Sequence, residues 1–366
     1  MSLSINPSFT WRIPFISLGL SVLATGCSDA QEVSMKPHHS PDGFLNNYPH
    51  AGKTFADFLK WSWDRTSPEP VTFPLTANNP EFLKSNRTET SLTWVGHSTF
   101  LLQWEGLNIL TDPHFTERAS PVSFAGPKRH TPAGLSLDQL PDIDVVIISH
   151  DHYDHLDLKS VQRLYERQKA RPPVFLVPLR LKDWFADNGI PVADELDWWD
   201  FRQVSGLRFH CVPVQHFSGR SLTNRNSTLW CGWVIESTSG NRVFFAGDTG
   251  YSNDFKDIRN RLGDMTLSLI PVGAYDPRWF MQSMHVNPEE AVQIHEDVGS
   301  AYSVGMHWGT FILTDEPMTE PPARLAGAMK AKGLNPAAFT VMQHGETRHL
   351  NDLFSTKPAA VAEQDP

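Results

Sequence analysis

From about residue 90 to residue 344 the chain alternates short apolar runs with clusters of Gly, Asp and Pro. The runs are SLTWVGHSTFLLQW (91–104), LNILTDP (107–113), DVVIIS (144–149), PVFLVP (173–178), LRFHCVPV (207–214), TLWCGWVIES (228–237), NRVFFAG (241–247), LSLIPVG (267–273), YSVGMHW (302–308) and FTVMQH (339–344). Brief apolar runs bounded by turn formers read as β-strands. Two intervening stretches have helical spacing instead, LDLKSVQRLYERQ (156–168) and NPEEAVQIHEDVG (287–299). The second opens with Asn287 as N-cap, Pro288 at the first helical position and Glu290 completing a capping box, and stops at Gly299. Many strands with helices between them predict an α/β sandwich, because each sheet needs a cover for its apolar faces. No internal repeat is visible.

The region ahead of residue 90 is different material. Residues 1–27 carry one charge, Arg12, and then an apolar stretch from Ile13 to about Ala24 that ends in small residues. A bilayer span needs roughly 20 apolar residues, so this segment predicts a secretory signal. Its end, LATGC, resembles a bacterial lipobox in which Cys27 becomes the lipidated first residue, although Leu23 lies one place further from the cysteine than that pattern has it. The expected location is therefore exported and membrane-anchored as a lipoprotein, at the outer membrane or facing the periplasm if the source is Gram-negative. Residues 28–85 read as an N-terminal arm with a short helical segment, 86–355 as the catalytic domain, and 356–366 as a disordered tail. Within the arm, TFADFLKWSWD sets Phe55, Phe58, Leu59 and Trp61 at helical spacing. Core packing is the expectation for that face; the sharper reading is a surface that meets lipid or a second copy in a homodimer.

Composition narrows the partners. The 366 residues are 40% hydrophobic and 20% charged, with a formal net charge of −10 and no basic run, which excludes a nucleic-acid binder working by counterion release. Beyond Cys27 only Cys211 and Cys231 remain. Export permits a disulfide between them, but two buried free thiols are the expectation, and no catalytic cysteine is foreseen.

The chemistry lies in VVIISHDHYDHLD (145–157), where an apolar strand releases three histidines and three aspartates between His150 and Asp157. No single regular form gathers His150, His152, Asp154 and His155 on one side. A strand ending at Ser149 that turns into a helix near Asp157 aims all four at one volume. Three later apolar runs also end in a ligand-type residue: His216, Asp248 and His307. Imidazoles with a few carboxylates and no thiolate suit catalytic zinc. Seven ligands exceed one ion and suffice for two, roughly 3.5 to 4 Å apart if Asp248 bridges them. His150, His152 and His216 then serve one ion; Asp154, His155 and His307 serve the other.

The motif HDHYDH, with GDTG and the two later histidines, resembles the metallo-β-lactamase superfamily. That resemblance implies a four-layer αββα sandwich with a two-metal site between the sheets. Within the superfamily, WVGHSTFLL, LTDPHF, DPRWFMQSMHVNPEEAVQIH, MHWGTF and HGETR are similar to the N-acyl-phosphatidylethanolamine-hydrolysing phospholipase D family and its bacterial relatives, over roughly residues 40–352. Flavin-partnered di-iron members carry a glutamate where this chain has His152, so the histidine favours a zinc hydrolase.

The expected reaction is hydrolysis of N-acyl-phosphatidylethanolamine or a related phospholipid to phosphatidic acid and N-acylethanolamine by a metal-bound hydroxide. Asp248 and His285 are the expected catalytic residues, with His285 as proton donor or charge partner for the leaving alkoxide. Asp112 and His97, at strand-to-loop turns, are placed to fix ligand imidazoles. His344 also ends a strand and stands either behind the ligands with them or in place of His307. Asp151 and Tyr153 face away or toward substrate, and His295 is structural. The alternatives are another hydrolase on the same metals, such as a lactonase or a different phosphodiesterase, and a non-catalytic exported zinc-binding protein.

Overall fold

A computed structural model describes residues 36–221 and 223–355. Residues 1–27, read as a secretory signal with Cys27 at its end, and residues 356–366 lie outside the described residues. Among those described, no helix is long and apolar enough to cross a membrane.

The alternating runs form two seven-stranded sheets. After a minimal hairpin, β1 (His39–Ser40) and β2 (Gly43–Phe44), come two short helices, α1 (Phe55–Asp64) and α2 (Pro80–Ser85). The first sheet is built from β3 (Ser91–Gly96), β4 (Thr99–Trp104), β5 (Leu107–Thr111), β6 (Val145–Ile147), β7 (Val174–Pro178) and β8 (Ala193–Leu196), with α3 (Leu158–Arg167) and α4 (Lys182–Asp187) between its later strands. The second is built from β9 (Phe201–Val204), β10 (Leu207–Val212), β11 (Gly232–Glu236), β12 (Arg242–Phe245), β13 (Leu267–Pro271), β14 (Tyr302–Met306) and β15 (Phe339–Val341). Helices α5 (Asp254–Leu262), α6 (Arg278–Met281), α7 (Pro288–Asp297) and α8 (Glu320–Ala331) fall among these strands, and β16 (Thr347–His349) returns to the edge of the first sheet beside β3, before α9 (Asn351–Ser355).

Side-chain alternation explains why the runs are apolar throughout. In β6 and the residue after it, Val145 and Ile147 face the second sheet while Val146 and Ile148 face α3 and α4; in β4, Phe100 and Leu102 face inward and Leu101 outward. A strand covered on both faces has no polar side to show. Between the sheets sit Trp94, Trp198, Trp230, Trp233 and Phe245, all fully buried, while Phe244 turns to the opposite face and meets Phe255 of α5. Each such ring contributes roughly 1.5–3 kcal/mol relative to exposure. Helices α5, α7 and α8 cover the far side of the second sheet through Phe255, Ile258, Val292, Ile294 and Leu325. The result is the four-layer αββα sandwich that the run pattern and family resemblance imply. Helix α7 carries the foreseen Asn287–Glu290 capping box, with Gly299 beyond its end at φ 61°.

Three strands of the two large sheets escaped the periodicity: β8, β9 and β16 read ADEL, FRQV and TRH, edge strands too polar to register as apolar runs. Helix α1 corrects an expectation. It buries none of its residues; Phe55, Leu59 and Trp63 are 63%, 52% and 89% exposed, and only Trp61 turns inward, stacking on Phe280 at 5.1 Å. The arm ahead of it is docked. His38 and His39 donate to Asp197 at 2.7 and 2.9 Å, Asn47 donates to Asp254 at 2.8 Å and Tyr48 to Asp257 at 2.6 Å.

Candidate metal centre

Six strands deliver polar side chains from their carboxyl ends to one cleft: His97 follows β3, Asp112 follows β5, the 149–155 loop follows β6, and His216, Asp248 and His307 follow β10, β12 and β14. Rigid strands with irregular ends are the arrangement that holds side chains in place while leaving their tips accessible. The backbone bends hard to do it. His97, Asp112 and His307 have φ of 53°, 31° and 62°, a left-handed region that costs a residue with a Cβ on the order of 1–2 kcal/mol. Gly247, just before Asp248, has φ 62°, and a Cβ there would lie 2.6 Å from the Ser149 Cβ, so only glycine brings these two loops together.

Two groups of donor atoms result. In the first, His150 Nε2 and His216 Nε2 lie 2.8 and 3.3 Å from His152 Nδ1. In the second, the Nε2 atoms of His97, His155 and His307 lie 2.9, 3.4 and 3.3 Å from Asp154 Oδ2. Asp248 stands between them, 3.1 Å from both His155 Nε2 and His307 Nε2 and 4.0 and 3.9 Å from His150 Nε2 and His216 Nε2. The structure thus gathers His150, His152, Asp154, His155, His216, Asp248 and His307, drawn from 158 residues of chain, into one cluster.

The opposite edges of three of the imidazoles, His150, His155 and His216, are spoken for. Asp112 accepts from His155 Nδ1 at 2.6 Å and from the Ser149 amide and hydroxyl at 2.7 and 2.5 Å. His216 Nδ1 donates to the Met284 carbonyl at 2.9 Å, and His150 Nδ1 meets Ser149 Oγ at 2.9 Å. Each anchor turns the other ring nitrogen toward the cluster. His97 stands closer in than a place behind the ligands: it bonds Asp154 itself and belongs to the second donor group. His285 reaches the rim, its Nδ1 3.7 Å from Asp248 Oδ2. His344 does not take the place of His307. Its Nε2 meets Thr310 Oγ1 at 2.9 Å, its ring lies against Trp94, and it falls outside every metal-capable group among the described residues. Thr310 Oγ1 in turn accepts from the His97 amide, so His344 stands two contacts behind the cluster.

Asp151 faces away, accepting from Gly219 N–H and Thr228 Oγ1, and the Tyr153 hydroxyl donates to the Arg220 carbonyl. Arg220 is a residue the sequence reading passed over. Its Nη1 donates to the carbonyls of Asp151 and Leu156 at 2.6 and 2.9 Å while its plane covers the Tyr153 ring at 3.9 Å, clamping the ligand loop at both ends. Nothing in spacing or composition marks it. Cys211 and Cys231 are buried free thiols, and His295 packs on Phe339 and meets Ser303.

Charge in the cluster is distributed by contact. Burial depresses His97, His150 and His216 well below an ordinary histidine, and His285 to about 4. Burial also works against His155 and His307, but the facing Asp248 and Asp154 outweigh it, holding His155 well up and His307 at about 9. Against the upward push of burial, those two imidazoles keep Asp154 and Asp248 well below the usual carboxylate range. Even so the donors are left short of partners. His155 Nε2 and Asp248 Oδ1 are buried without a hydrogen bond, the former despite its 3.1 Å approach to Asp248, and the ring nitrogens of His150, His152 and His216 point at one another. A buried polar atom left unpaired costs about 1–3 kcal/mol. Converging nitrogen and carboxylate donors of this kind are the set that a divalent cation such as zinc satisfies.

A sequence model of the Beta-lactamase superfamily domain matches residues 107–308, which include every ligand-type residue of the cluster except His97. The chain belongs to the metallo-β-lactamase superfamily. It is 40% identical over 273 residues to N-acyl-phosphatidylethanolamine-hydrolyzing phospholipase D 1 of Caenorhabditis elegans, covering 71% of this chain and 76% of that one. An uncharacterized protein of Mycobacterium tuberculosis is 38% identical over 330 residues, covering 87% of each. Among solved structures, a metallo hydrolase from Ignicoccus hospitalis superposes with a TM-score of 0.52 at 20% identity, over 71% of this chain and 98% of that one, a likeness of fold. This superfamily member is a metal-dependent hydrolase related to the N-acyl-phosphatidylethanolamine phospholipases.

Beside the cluster an apolar groove of about 460 Å³ runs outward from His285. Its walls are Phe217, Phe280, Met281 and Met284, and its mouth is the exposed helix α1 with Phe55 and Phe58.

Proposed function

We propose that the protein is a zinc-dependent phosphodiesterase of phospholipase D type that hydrolyses N-acyl-phosphatidylethanolamine or a closely related phospholipid. One observation carries the reading: the groove joins a metal-type cluster at its inner end to an exposed aromatic helix at its outer end. A water-soluble substrate needs no such path, whereas a lipid held in a membrane does. The name of the 40% identical relative supports the same class of substrate.

His150, His152 and His216 would hold one ion, and Asp154, His155 and His307 the other, with Asp248 between. Zinc held there would supply Lewis acidity toward a water and toward the phosphoryl oxygens. The chain does the rest. Asp112, Ser149 and the Met284 carbonyl keep the imidazoles turned inward. Phe217, Phe280 and Met284 exclude water and lay the lipid chain along the groove. Hydrolysis joins a water oxygen to phosphorus as the bond to the ethanolamine oxygen breaks, the water's proton passing to that departing oxygen, and His285, neutral near pH 7 at the inner end of the groove, offers the oxygen a ring N–H hydrogen bond. Phe55, Phe58, Leu59 and Trp63 rest on the lipid surface with Lys53 and Lys60 beside them, and lipidation of Cys27 would keep the enzyme there.

The test is phospholipase D activity of the zinc-loaded protein on vesicles containing N-acyl-phosphatidylethanolamine, plain phosphatidylethanolamine or an N-acyl lactone. Release of N-acylethanolamine, abolished by a chelator and restored by zinc, is expected. Turnover of the lactone alone, or of none of the three by metal-replete protein, would overturn the reading.

A further inference from the structure

Arg225 sits on the rim of the groove, in the loop that also supplies His216. Its guanidinium covers the ring of Phe217 at 4.0 Å, and the same ring meets His152 edge-on at 4.4 Å, so one aromatic plate separates this cation from the metal cluster. Among the described residues Arg225 has no side-chain hydrogen bond and no carboxylate within ion-pair reach. Its neighbours are committed: Arg220 to the Asp151 and Leu156 carbonyls, Lys53 to the Trp279 carbonyl. The loop beneath is fixed, because Asn224 Oδ1 accepts from the amides of Arg220 and Ser221 at 3.0 and 2.8 Å. The groove as a whole is unlike the chain around it. Asp and Glu outnumber Lys and Arg by 41 to 31, yet the groove lining contains Lys53 and Arg225 and no acidic side chain.

We propose that Arg225 binds the anionic phosphodiester of the incoming lipid and makes this chain select a charged headgroup. A guanidinium stacked face-on upon an aromatic ring keeps its in-plane N–H donors free, the geometry that suits two phosphate oxygens. The lipid carries one phosphodiester, so the guanidinium holds the same phosphoryl oxygens before and during bond breaking, and a contact of equal strength in both acts on binding and not on the bond-breaking step. This inference rests on the phospholipid reading given above.

The experiment compares the full-length, zinc-loaded protein with its Arg225→Gln and Arg225→Lys variants. The substrates are N-acyl-phosphatidylethanolamine in neutral detergent micelles and a short-chain, water-soluble phosphodiester. Loss of one charge-assisted contact should raise KM about tenfold on both with kcat changed by less than about twofold, and Arg225→Lys should recover part of the loss. Metal content and thermal midpoint should match the parent, since the side chain is exposed and unpaired. Unchanged KM on both substrates overturns the proposal. So does an effect confined to the micellar lipid with the soluble substrate unaffected, because Arg225 would then be reading the lipid surface. Should the parent hydrolyse no phosphodiester, the functional reading fails separately, and titration with inorganic phosphate decides: weaker binding by Arg225→Gln upholds the anion site, equal binding removes it.

Discussion

Asp112 holds His155 by its Nδ1 at 2.6 Å, and its other oxygen takes the amide of Ser149, the last residue before the HDHYDH loop. One buried carboxylate therefore sets both the direction of an imidazole and the point where the strand ends. Replacing Asp112 with Asn should keep the fold but weaken metal retention 10–100-fold, read by competition with a graded chelator. Retention equal to the parent would show that His155 is oriented by something else.

Removing the metal should be felt beyond activity. Orphaned donors such as His155 Nε2 and Asp248 Oδ1 gain a partner on binding, so chelated protein should melt lower, by an amount that grows with metal concentration in the reference sample. A free concentration one hundred times Kd corresponds to about 2.7 kcal/mol. Calorimetry with and without chelator measures it.

Helix α1 makes the opposite kind of prediction. Leu59→Ser with Trp63→Ser removes exposed apolar side chains that touch no core, so stability should move by no more than about 0.5 kcal/mol per site. Vesicle flotation should nonetheless fall several-fold, while hydrolysis of a water-soluble phosphodiester stays unchanged.

Trp233 joins the core to the site. Its indole N–H crosses between sheets to the Ile148 carbonyl at 2.9 Å, two residues ahead of His150. Trp233→Ala should cost about 3–5 kcal/mol. Trp233→Phe keeps most of the packing but leaves that carbonyl only the weak Cys231 thiol contact at 3.9 Å, costing roughly 1 kcal/mol, which denaturant titration resolves.

Far from the cluster, Glu236 shows a pH effect with a definite sign. His210 Nε2 at 3.4 Å and the Arg242 guanidinium, bonded at 2.8 and 3.0 Å, lower its carboxyl from 4.5 to about 2. Arg242 supplies the hydrogen-bonded contact, since the histidine nitrogen is out of alignment. A depressed folded-state value stabilises above pH 4.5 and is lost as pH falls toward 2. After solvent screening the contribution is on the order of 1–2 kcal/mol. Glu236→Gln should therefore melt lower than the parent at pH 7, with the gap closing on acidification across that window.

What the chain discloses about itself depends on the range of the interaction. The β6 run and its histidines are local, so a strand ending at Ser149 is readable, and His216, Asp248 and His307 repeat the same device at the ends of β10, β12 and β14. Helix α1 was misjudged because apolar spacing shows that a helix has a face without showing whether anything lies against it. Arg220 and Thr310 were invisible for another reason. They act on backbone atoms of distant loops, and a carbonyl carries no residue-type signature. His344, a strand-end histidine like the others, differs only in where its strand lies, which the order of strands in the sheet decides and local pattern does not.

Asn46 donates to the His216 carbonyl at 2.9 Å and accepts from its amide at 3.0 Å, so a residue 170 positions upstream brackets a member of the cluster. Shortened versions that begin at the helix would strip this splint and slacken the pocket they were meant to isolate. A fusion partner or purification handle is better joined before Pro37, where it leaves the bracket intact. By the same route, a mechanical load applied upstream would arrive at the histidine's own peptide groups.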